Sequence, residues 1–222
     1  DAIVENLNSG TDRLDFTEVT KDLTFYVQSK GSVEVRDSAG NSVTASNIED
    51  LTGGAGSNTL DYSSYGGFIK VNLDTGKVEG DLKVAGIENV TGSGMNDEIT
   101  GSNDSNTIKG GAGNDKLSGL DGDDHYIFAN EWGQDKIIEE SGQDSGHGLD
   151  TVDFSAVSVD LLFEVDSNGA IIVTDGKGNR LEADSIENLI GGGGVNTLDY
   201  SKYEGSVQVN LLQGSATLFD TI

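Results

Sequence analysis

The sequence predicts an all-β protein, and three features of its pattern point to that class. Apolar residues alternate with polar ones in short runs such as Leu23, Phe25 and Val27, which is typical of half-buried strands. Glycine occurs 32 times and proline never, as expected for sheet ladders joined by tight turns, because proline lacks the backbone donor that a ladder needs. The chain also repeats itself on two length scales. The best candidate for a short helix is the segment 129–140, although its pattern is not convincing.

The longer repeat relates residues 12–76 to residues 150–214 at a constant offset of 138, and about half of the aligned positions are identical. The run 58–63 recurs as 196–201 with the same letters. The two copies therefore predict two strand-rich modules of the same kind. The sequence leaves open whether these modules continue a solenoid or form separate sandwich-like domains with antiparallel strands.

A shorter period of nine residues fills the segment between the two copies. Four consecutive nonapeptides occupy 92–100, 101–109, 110–118 and 119–127. The third fits the pattern G-G-x-G-x-D-x-U-x at every fixed position, where U is a large apolar residue. The first has Met95 at the fourth position, the second has Asp104 there and Asn106 in place of the aspartate, and the fourth lacks one glycine. Four tandem copies make this signal far more specific than one copy.

Each fixed position of the nonapeptide has a chemical reason. Glycine allows a positive φ, so the turn can aim its carbonyl oxygens inward, and the aspartate that follows adds negative charge. Carbonyl and carboxylate oxygens form a hard ligand set that suits Ca²⁺ rather than zinc or copper. The apolar residue two places later is expected on a short strand, pointing into the core; these residues are Ile99, Ile108, Leu117 and Tyr126. One nonapeptide then makes half a turn of a solenoid, and stacked half-turns share ions.

The four nonapeptides resemble the RTX calcium-binding repeats of type I-secreted bacterial proteins. The resemblance implies a parallel β-roll or β-helix solenoid, Ca²⁺ as the bound ion, and a secreted or cell-surface location. Three segments are expected: a first strand-rich module over 1–91, a β-roll with its run-out over 92–149, and a second, truncated module over 150–222. Because the chain begins and ends inside a repeat, we interpret it as a piece of a longer array.

In this family two nonapeptides complete one coil, so the resemblance implies that loops eighteen residues apart share an ion. Carried over by motif position, Asp97 pairs with Asp115, Asn106 with Asp124, and the Asp115 loop with Asp135 beyond it. The backbone carbonyls that face the ions would come from Gly92, Gly94 and Asn96 opposite Gly111 and Gly113, and from Gly101, Asn103 and Ser105 opposite Leu120 and Gly122. Asn106 carries no charge, so the second ion should bind more weakly or use Asp104 instead.

Two further glycine loops, 53–58 and 191–196, begin in the same way but end in asparagine rather than aspartate. Neither has a matching loop eighteen residues away. We therefore interpret both as structural turns, with calcium binding as the less favoured alternative.

Composition and charge exclude several classes of function. The chain carries 39 acidic and 13 basic residues, a formal net charge of −26, which repels nucleic acid and anionic lipid. No apolar run is long enough to span a membrane, and the lack of cysteine removes thiol chemistry. His125, expected to point outward, and His147 lie in contexts that do not suit a general base. Glu139 and Glu140 are expected at a solvated strand end or in a linker. The chain is not expected to be an enzyme.

The sequence therefore predicts a calcium-binding structural module of a secreted protein, which folds when extracellular calcium neutralises its carboxylates. The alternative is a polysaccharide-binding or adhesion module that accompanies an exported enzyme or an adhesin. Trp132 is a candidate sugar-stacking platform for that alternative, although a single tryptophan is more often part of the packing.

Overall fold

The structure is a computed structural model, and it describes residues 2–4, 10–139 and 148–204, together with the strand backbones at 208–210 and 215–217. Throughout these residues strands are joined by turns, so the predicted all-β class is confirmed. The described residues contain no helix that could cross a membrane. The short helix considered for 129–140 is wrong, because 129–139 holds the end of one strand, a turn at Glu131 with φ of +65°, and the next strand.

The described residues form 24 strands. The first twelve are β1 (Ala2–Val4), β2 (Arg13–Asp15), β3 (Leu23–Ser29), β4 (Ser32–Asp37), β5 (Ser42–Ser46), β6 (Asp50–Thr52), β7 (Thr59–Asp61), β8 (Lys70–Asn72), β9 (Lys77–Val78), β10 (Lys83–Ala85), β11 (Asn89–Thr91) and β12 (Glu98–Thr100). The others are β13 (Thr107–Lys109), β14 (Lys116–Ser118), β15 (His125–Ala129), β16 (Gln134–Ile137), β17 (Thr151–Ala156), β18 (Leu161–Val165), β19 (Ile171–Thr174), β20 (Arg180–Ala183), β21 (Asn188–Ile190), β22 (Asn196–Asp199), β23 (Gln208–Asn210) and β24 (Ser215–Thr217).

These strands form two sheets of 12 strands each. The order in the first sheet is β1-β5-β4-β3-β7-β11-β13-β15-β17-β21-β24-β23, and in the second β2-β6-β10-β9-β8-β12-β14-β16-β20-β19-β18-β22. In the nonapeptide segment, consecutive strands alternate between the sheets. Each pairs in parallel with the strand one coil away, as β11 does with β13 and β12 with β14. This arrangement is the parallel β-roll that the resemblance implied.

The two long copies continue the same sheets. In each copy a three-stranded antiparallel meander takes the place of one parallel strand: β3-β4-β5 in the first copy and β18-β19-β20 in the second. The first strand of each meander pairs in parallel with the next coil, as β3 does with β7 and β18 with β22. The ladders run past positions 91 and 149, so the division into three segments stays a prediction about repeat types.

The core lies between the two sheets and takes one apolar residue from each strand of the nonapeptide segment, β11 to β14. The four apolar residues of the nonapeptides are at most 1% exposed, as the pattern predicts: Ile99, Ile108, Leu117 and Tyr126. Burying side chains of this size stabilises the fold by about 1.5–3 kcal/mol each. Because each coil adds one such residue to each sheet, the core is continuous along the roll.

An aromatic cluster lies in the core just after the nonapeptides. Phe128, Trp132, Phe154 and Phe163 pack edge-on or stacked, with ring centroids from 4.9 to 6.4 Å apart. Trp132 is buried, so it packs in the core and offers no surface on which a sugar could stack.

Candidate metal centre

Carboxylates from successive coils form a column along the roll. The backbone N–H of Asp97 donates to Asp115 Oδ1 at 2.8 Å, and the N–H of Asp115 donates to Asp135 Oδ1 at 2.8 Å. Asp97 Oδ1 itself accepts the N–H of Ile69 at 2.8 Å. The residues paired from the sequence are therefore direct neighbours here, although their role as metal ligands stays a prediction.

A second column joins the alternate loops in the same way. The N–H of Asn106 donates to Asp124 Oδ1 at 2.7 Å, and the N–H of Asp124 donates to Asp150 Oδ1 at 2.9 Å. The N–H of Asp150 then donates to Glu187 Oε2 at 2.8 Å. The structure places Asn106 beside Asp124 as expected, and it adds Asp150 and Glu187 to the column.

The sequence reasoning missed Asp150 because 26 residues, not eighteen, separate it from Asp124. The long repeat contains a signal that pointed to it, because Asp12 and Glu49 recur as Asp150 and Glu187 at the offset of 138. Asp12, the counterpart of Asp150 in the first copy, donates its N–H to the carboxylate of Glu49 at 2.8 Å. The two contacts are the same bond at an offset of 138 residues.

Glycines bring the facing loops too close for any side chain. A Cβ added to Gly111 would overlap the carbonyl oxygen of Ser93, and one added to Gly113 would overlap that of Met95. Both glycines also have a positive φ, +105° and +124°. The loops therefore stack backbone on backbone eighteen residues apart, as the resemblance implied.

Three of the other predicted glycines, Gly92, Gly101 and Gly122, are enclosed in the same stack. Gly92 and Gly101 are blocked by the carbonyl oxygens of the next coil and by the side chain of their own loop. Gly122 has a φ of +110° and lies against the backbone of the coil before it. Leu120, where the pattern has glycine, adopts a φ of +79° all the same.

The remaining predicted positions differ in exposure. Asn96 and Ser105 use side-chain oxygens to accept an N–H from the loop eighteen residues later, at 2.9 and 3.1 Å. Asn103 and Asp104 are exposed, whereas Asn106 is buried. Asn106 therefore holds the inner position of its loop. The surroundings of Gly94 are open.

Among the residues that the structure describes, four buried carboxyl groups each keep one oxygen without a hydrogen-bond partner: Asp115 Oδ2, Asp124 Oδ2, Asp135 Oδ2 and Glu139 Oε2. Oδ1 of the half-buried Asp50, outside the nonapeptide loops, is a fifth such carboxylate oxygen. Burial raises the pKa of Asp115 and Asp124 to about 7, and the pKa of Asp135 and Glu139 to about 8. Backbone hydrogen bonds to these carboxylates oppose the rise but do not cancel it. A buried carboxylate oxygen without a partner is unfavourable unless a cation or a donor reaches it.

Glu139 corrects an expectation, because it is not at a solvated strand end but only 7% exposed. Its Oε1 accepts the N–H of Gly119 at 2.9 Å and the hydroxyl of Tyr126. The neighbouring carboxylates of Asp150 and Asp124 add to the rise in its pKa. Glu140 and His147 lie outside the described residues.

His125 is half-exposed on the strand face opposite Tyr126. Its Nε2 lies 3.2 Å from Asp153 Oδ2. The pairing ties two neighbouring parallel strands together at the surface.

In the part of the chain that the structure describes, no three His, Cys, Asp or Glu side chains converge on one point as a metal site. A cation in these loops would therefore depend on backbone carbonyls together with one or two carboxylates. That donor set is the one Ca²⁺ accepts, because calcium takes 6–8 oxygen ligands in flexible geometry. The buried oxygens without partners fit it.

Comparison with known families bears on these loops. Residues 91–126 match the model of the RTX calcium-binding nonapeptide repeat, in 4 copies. This segment is an RTX repeat. The match ends at Tyr126, whereas the carboxylate columns of the RTX segment continue to Asp135 and Glu187. No curated protein matches the chain.

Proposed function

We propose that this chain is a calcium-binding structural module of a secreted RTX-type protein, and that extracellular calcium drives its folding. The observation that carries the proposal is the set of buried carboxylate oxygens without partners in and just beyond the RTX loops. When bound, calcium supplies the positive charge and the open coordination positions that these oxygens lack.

The residues of the two columns would hold the ions. Asp97, Asp115 and Asp135 follow one another along one column, each joined to the next by a backbone N–H to carboxylate bond. Asp124 holds the corresponding position on the other column. Asn106 brings no charge, because its side chain is a neutral amide. Its Oδ1 accepts the N–H of Ser102 at 2.6 Å, and its Nδ2 donates to the Glu88 carbonyl at 2.8 Å. The Asn106 loop therefore depends on Asp124 for its negative charge.

The charge of the chain supports a role for calcium in folding. A net charge of −26 disfavours a compact state through self-repulsion, and the buried carboxylates add the cost of desolvation. Because the columns join residues 18 to 37 positions apart, the loops come together only in the folded chain. Binding energy at such a site becomes folding energy. At low calcium the RTX segment of such a chain is destabilised and loses its fold first, and extracellular calcium restores it after export.

A calcium titration followed by calorimetry and circular dichroism tests the proposal. We expect a cooperative gain of strand signal as a few ions bind. Magnesium at the same concentration is the control, and we expect it to have little effect because it demands a smaller, regular octahedral site. Equal strand content in calcium and in chelator would contradict calcium-driven folding, and the absence of any binding heat would contradict the calcium sites.

The alternative of polysaccharide binding or adhesion has no particular contact in its favour. Trp132, its candidate platform, is buried, and the negative charge of the chain repels acidic polymers. We therefore propose the structural role alone, without catalytic activity.

A further inference from the structure

The loop at 53–58 has nearly the same sequence as the RTX loop at 110–115. The letters are G-G-A-G-S-N in the first and G-G-A-G-N-D in the second, so the loops differ only in their last two residues. Their final side chains are both buried, Asn58 being 0% and Asp115 3% exposed. The two loops are thus a matched pair in which an amide replaces a carboxylate.

The amide of Asn58 points into a ring of carbonyl oxygens. Its Nδ2 lies 2.9 Å from the oxygen of Gly54, 2.9 Å from that of Gly56 and 2.9 Å from that of Gly86. Two of these carbonyls belong to its own loop and the third to the following coil. Three acceptors around one atom fix the orientation of the amide, because the reverse orientation would press oxygen against oxygen.

The matching carbonyls in the RTX loop are those of Gly111 and Gly113, which the resemblance assigns to calcium. The side chain at the end of that loop, Asp115, has no N–H to offer them, and its Oδ2 is without a partner. What the amide nitrogen does at Asn58 must therefore be done at Asp115 by something else with positive charge.

Asn196 repeats the arrangement in the second long copy. Its Nδ2 donates to the carbonyl of Gly192 at 2.8 Å and to that of Gly194 at 3.2 Å. These two carbonyls correspond to the two that Asn58 contacts in its own loop. The arrangement is therefore a property of the repeat and not of one turn.

We infer that the amide nitrogen of Asn58 stands where a calcium ion stands in the RTX loops, so that this loop is a latent calcium site which the single substitution Asn58→Asp would open. The inference rests on the proposed function only in taking the RTX loops as calcium sites. An aspartate oxygen and the carbonyls of Gly54, Gly56 and Gly86 would supply part of the shell, and water would complete the 6–8 ligands that calcium takes.

The test uses the full chain with two substitutions at this position. For Asn58→Asp we expect one more bound calcium per chain than in the wild type by equilibrium dialysis. We also expect a lower urea midpoint in chelator, which calcium restores. Asn58→Ala is the matched control, because it removes the amide without adding a ligand. It should lose stability in chelator and in calcium alike and should gain no ion.

The outcomes separate the inference from the proposed function. If Asn58→Asp binds as many ions as the wild type, or if calcium does not restore its folding, the inference is overturned even when the wild type binds calcium. If the wild type binds no calcium but Asn58→Asp binds one ion, the proposed function fails. The loop at 53–58 is then a calcium site, but the equivalence of its Asn58 nitrogen to an ion of the RTX loops is overturned.

Discussion

The loops at 53–58 and 110–115 share their first four residues, their stacking on the next coil and the burial of their last side chain. They differ in the group that faces the glycine carbonyls: Asn58 Nδ2 donates to them, whereas Asp115 has no side-chain N–H to donate. One side-chain oxygen is without a partner in both loops, Oδ1 of Asn58 and Oδ2 of Asp115. Hydrogen bonds from Asn58 Nδ2 close one loop, and we propose that a cation takes the place of that nitrogen in the other. The two loops therefore share one backbone, and a single side-chain group determines whether a loop can depend on an ion.

The scaffold around the two kinds of loop is also shared. In both kinds of loop a carboxylate of the next coil accepts a backbone N–H. Glu88 Oε2 accepts the N–H of Asn58 at 2.7 Å, and Asp115 Oδ1 accepts the N–H of Asp97 at 2.8 Å. This ladder bond is present whether or not the loop carries an inward charge. The RTX segment is therefore one part of a roll whose sheets continue through both long copies.

The largest effect that we expect is the change with pH in the stability of the calcium-free protein. The four buried carboxyl groups have folded-state pKa values of about 7 to 8, against about 4 in the unfolded chain. Such groups favour folding most below about pH 4, and this contribution is lost as the pH rises through 8. We expect the urea midpoint in chelator to be higher at pH 5.5 than at pH 8, by an amount worth several kcal/mol since one pKa unit is about 1.4 kcal/mol.

Calcium should reverse this trend, because protons and calcium compete for the same carboxylates. The stabilisation that calcium provides should grow between pH 5.5 and pH 8. A urea midpoint of the calcium-free protein that rises with pH over this range would contradict this prediction. It would mean that the buried carboxylates already have hydrogen-bond or charge partners without calcium.

The substitution Asp115→Asn should convert an RTX loop into the amide type. We expect the protein to bind fewer ions and, in chelator, to gain about 1–3 kcal/mol in unfolding free energy, because a buried charge without a partner is removed. Urea titrations in chelator and in calcium measure both effects.

The control is Asp81→Asn, which removes an exposed carboxylate whose ion-pair partner Lys30 lies 3.6 Å away. Exposed pairs contribute little, so we expect a change within about 0.5 kcal/mol. A loss of stability in chelator for Asp115→Asn, larger than that of the control, would contradict the account.

The smallest effect concerns Leu120, which has a φ of +79° at a position where the pattern has glycine. A left-handed backbone costs a side-chain-bearing residue about 1–2 kcal/mol, and the greater freedom of glycine in the unfolded chain offsets part of the gain. We expect Leu120→Gly to raise the unfolding free energy in calcium by up to about 1 kcal/mol. Leu120→Ala, which keeps the strain, should not; if it matches or exceeds Leu120→Gly, strain at this position is not the cause.

Much of the fold and part of the site followed from the sequence. The nine-residue period placed Ile108 and Leu117 in the core, and the eighteen-residue coil paired Asp97 with Asp115. Glu139 and Asp150 were missed because spacings of 20 and 26 residues break that period. Only coordinates reveal which loops those interruptions bring together.

The topology of the long copies and the contacts of the asparagine loops could not be predicted from the sequence. Alternation of apolar residues predicted the strands of the meanders, but not that each meander replaces one parallel strand of the roll. In the same way, the letter at Asn58 identified a turn. The three carbonyls that surround its Nδ2 come partly from Gly86, 28 residues away, and no local pattern contains that contact.

Hydrogen exchange of the full chain in calcium and in chelator, read by mass spectrometry, measures separately how far each kind of loop depends on calcium. The account predicts that amides in 92–126 lose protection when calcium is removed, while those in the 53–58 loop keep theirs. If both regions lose protection together, or if neither does, then the amide and the ion are not alternative ways of closing the same loop.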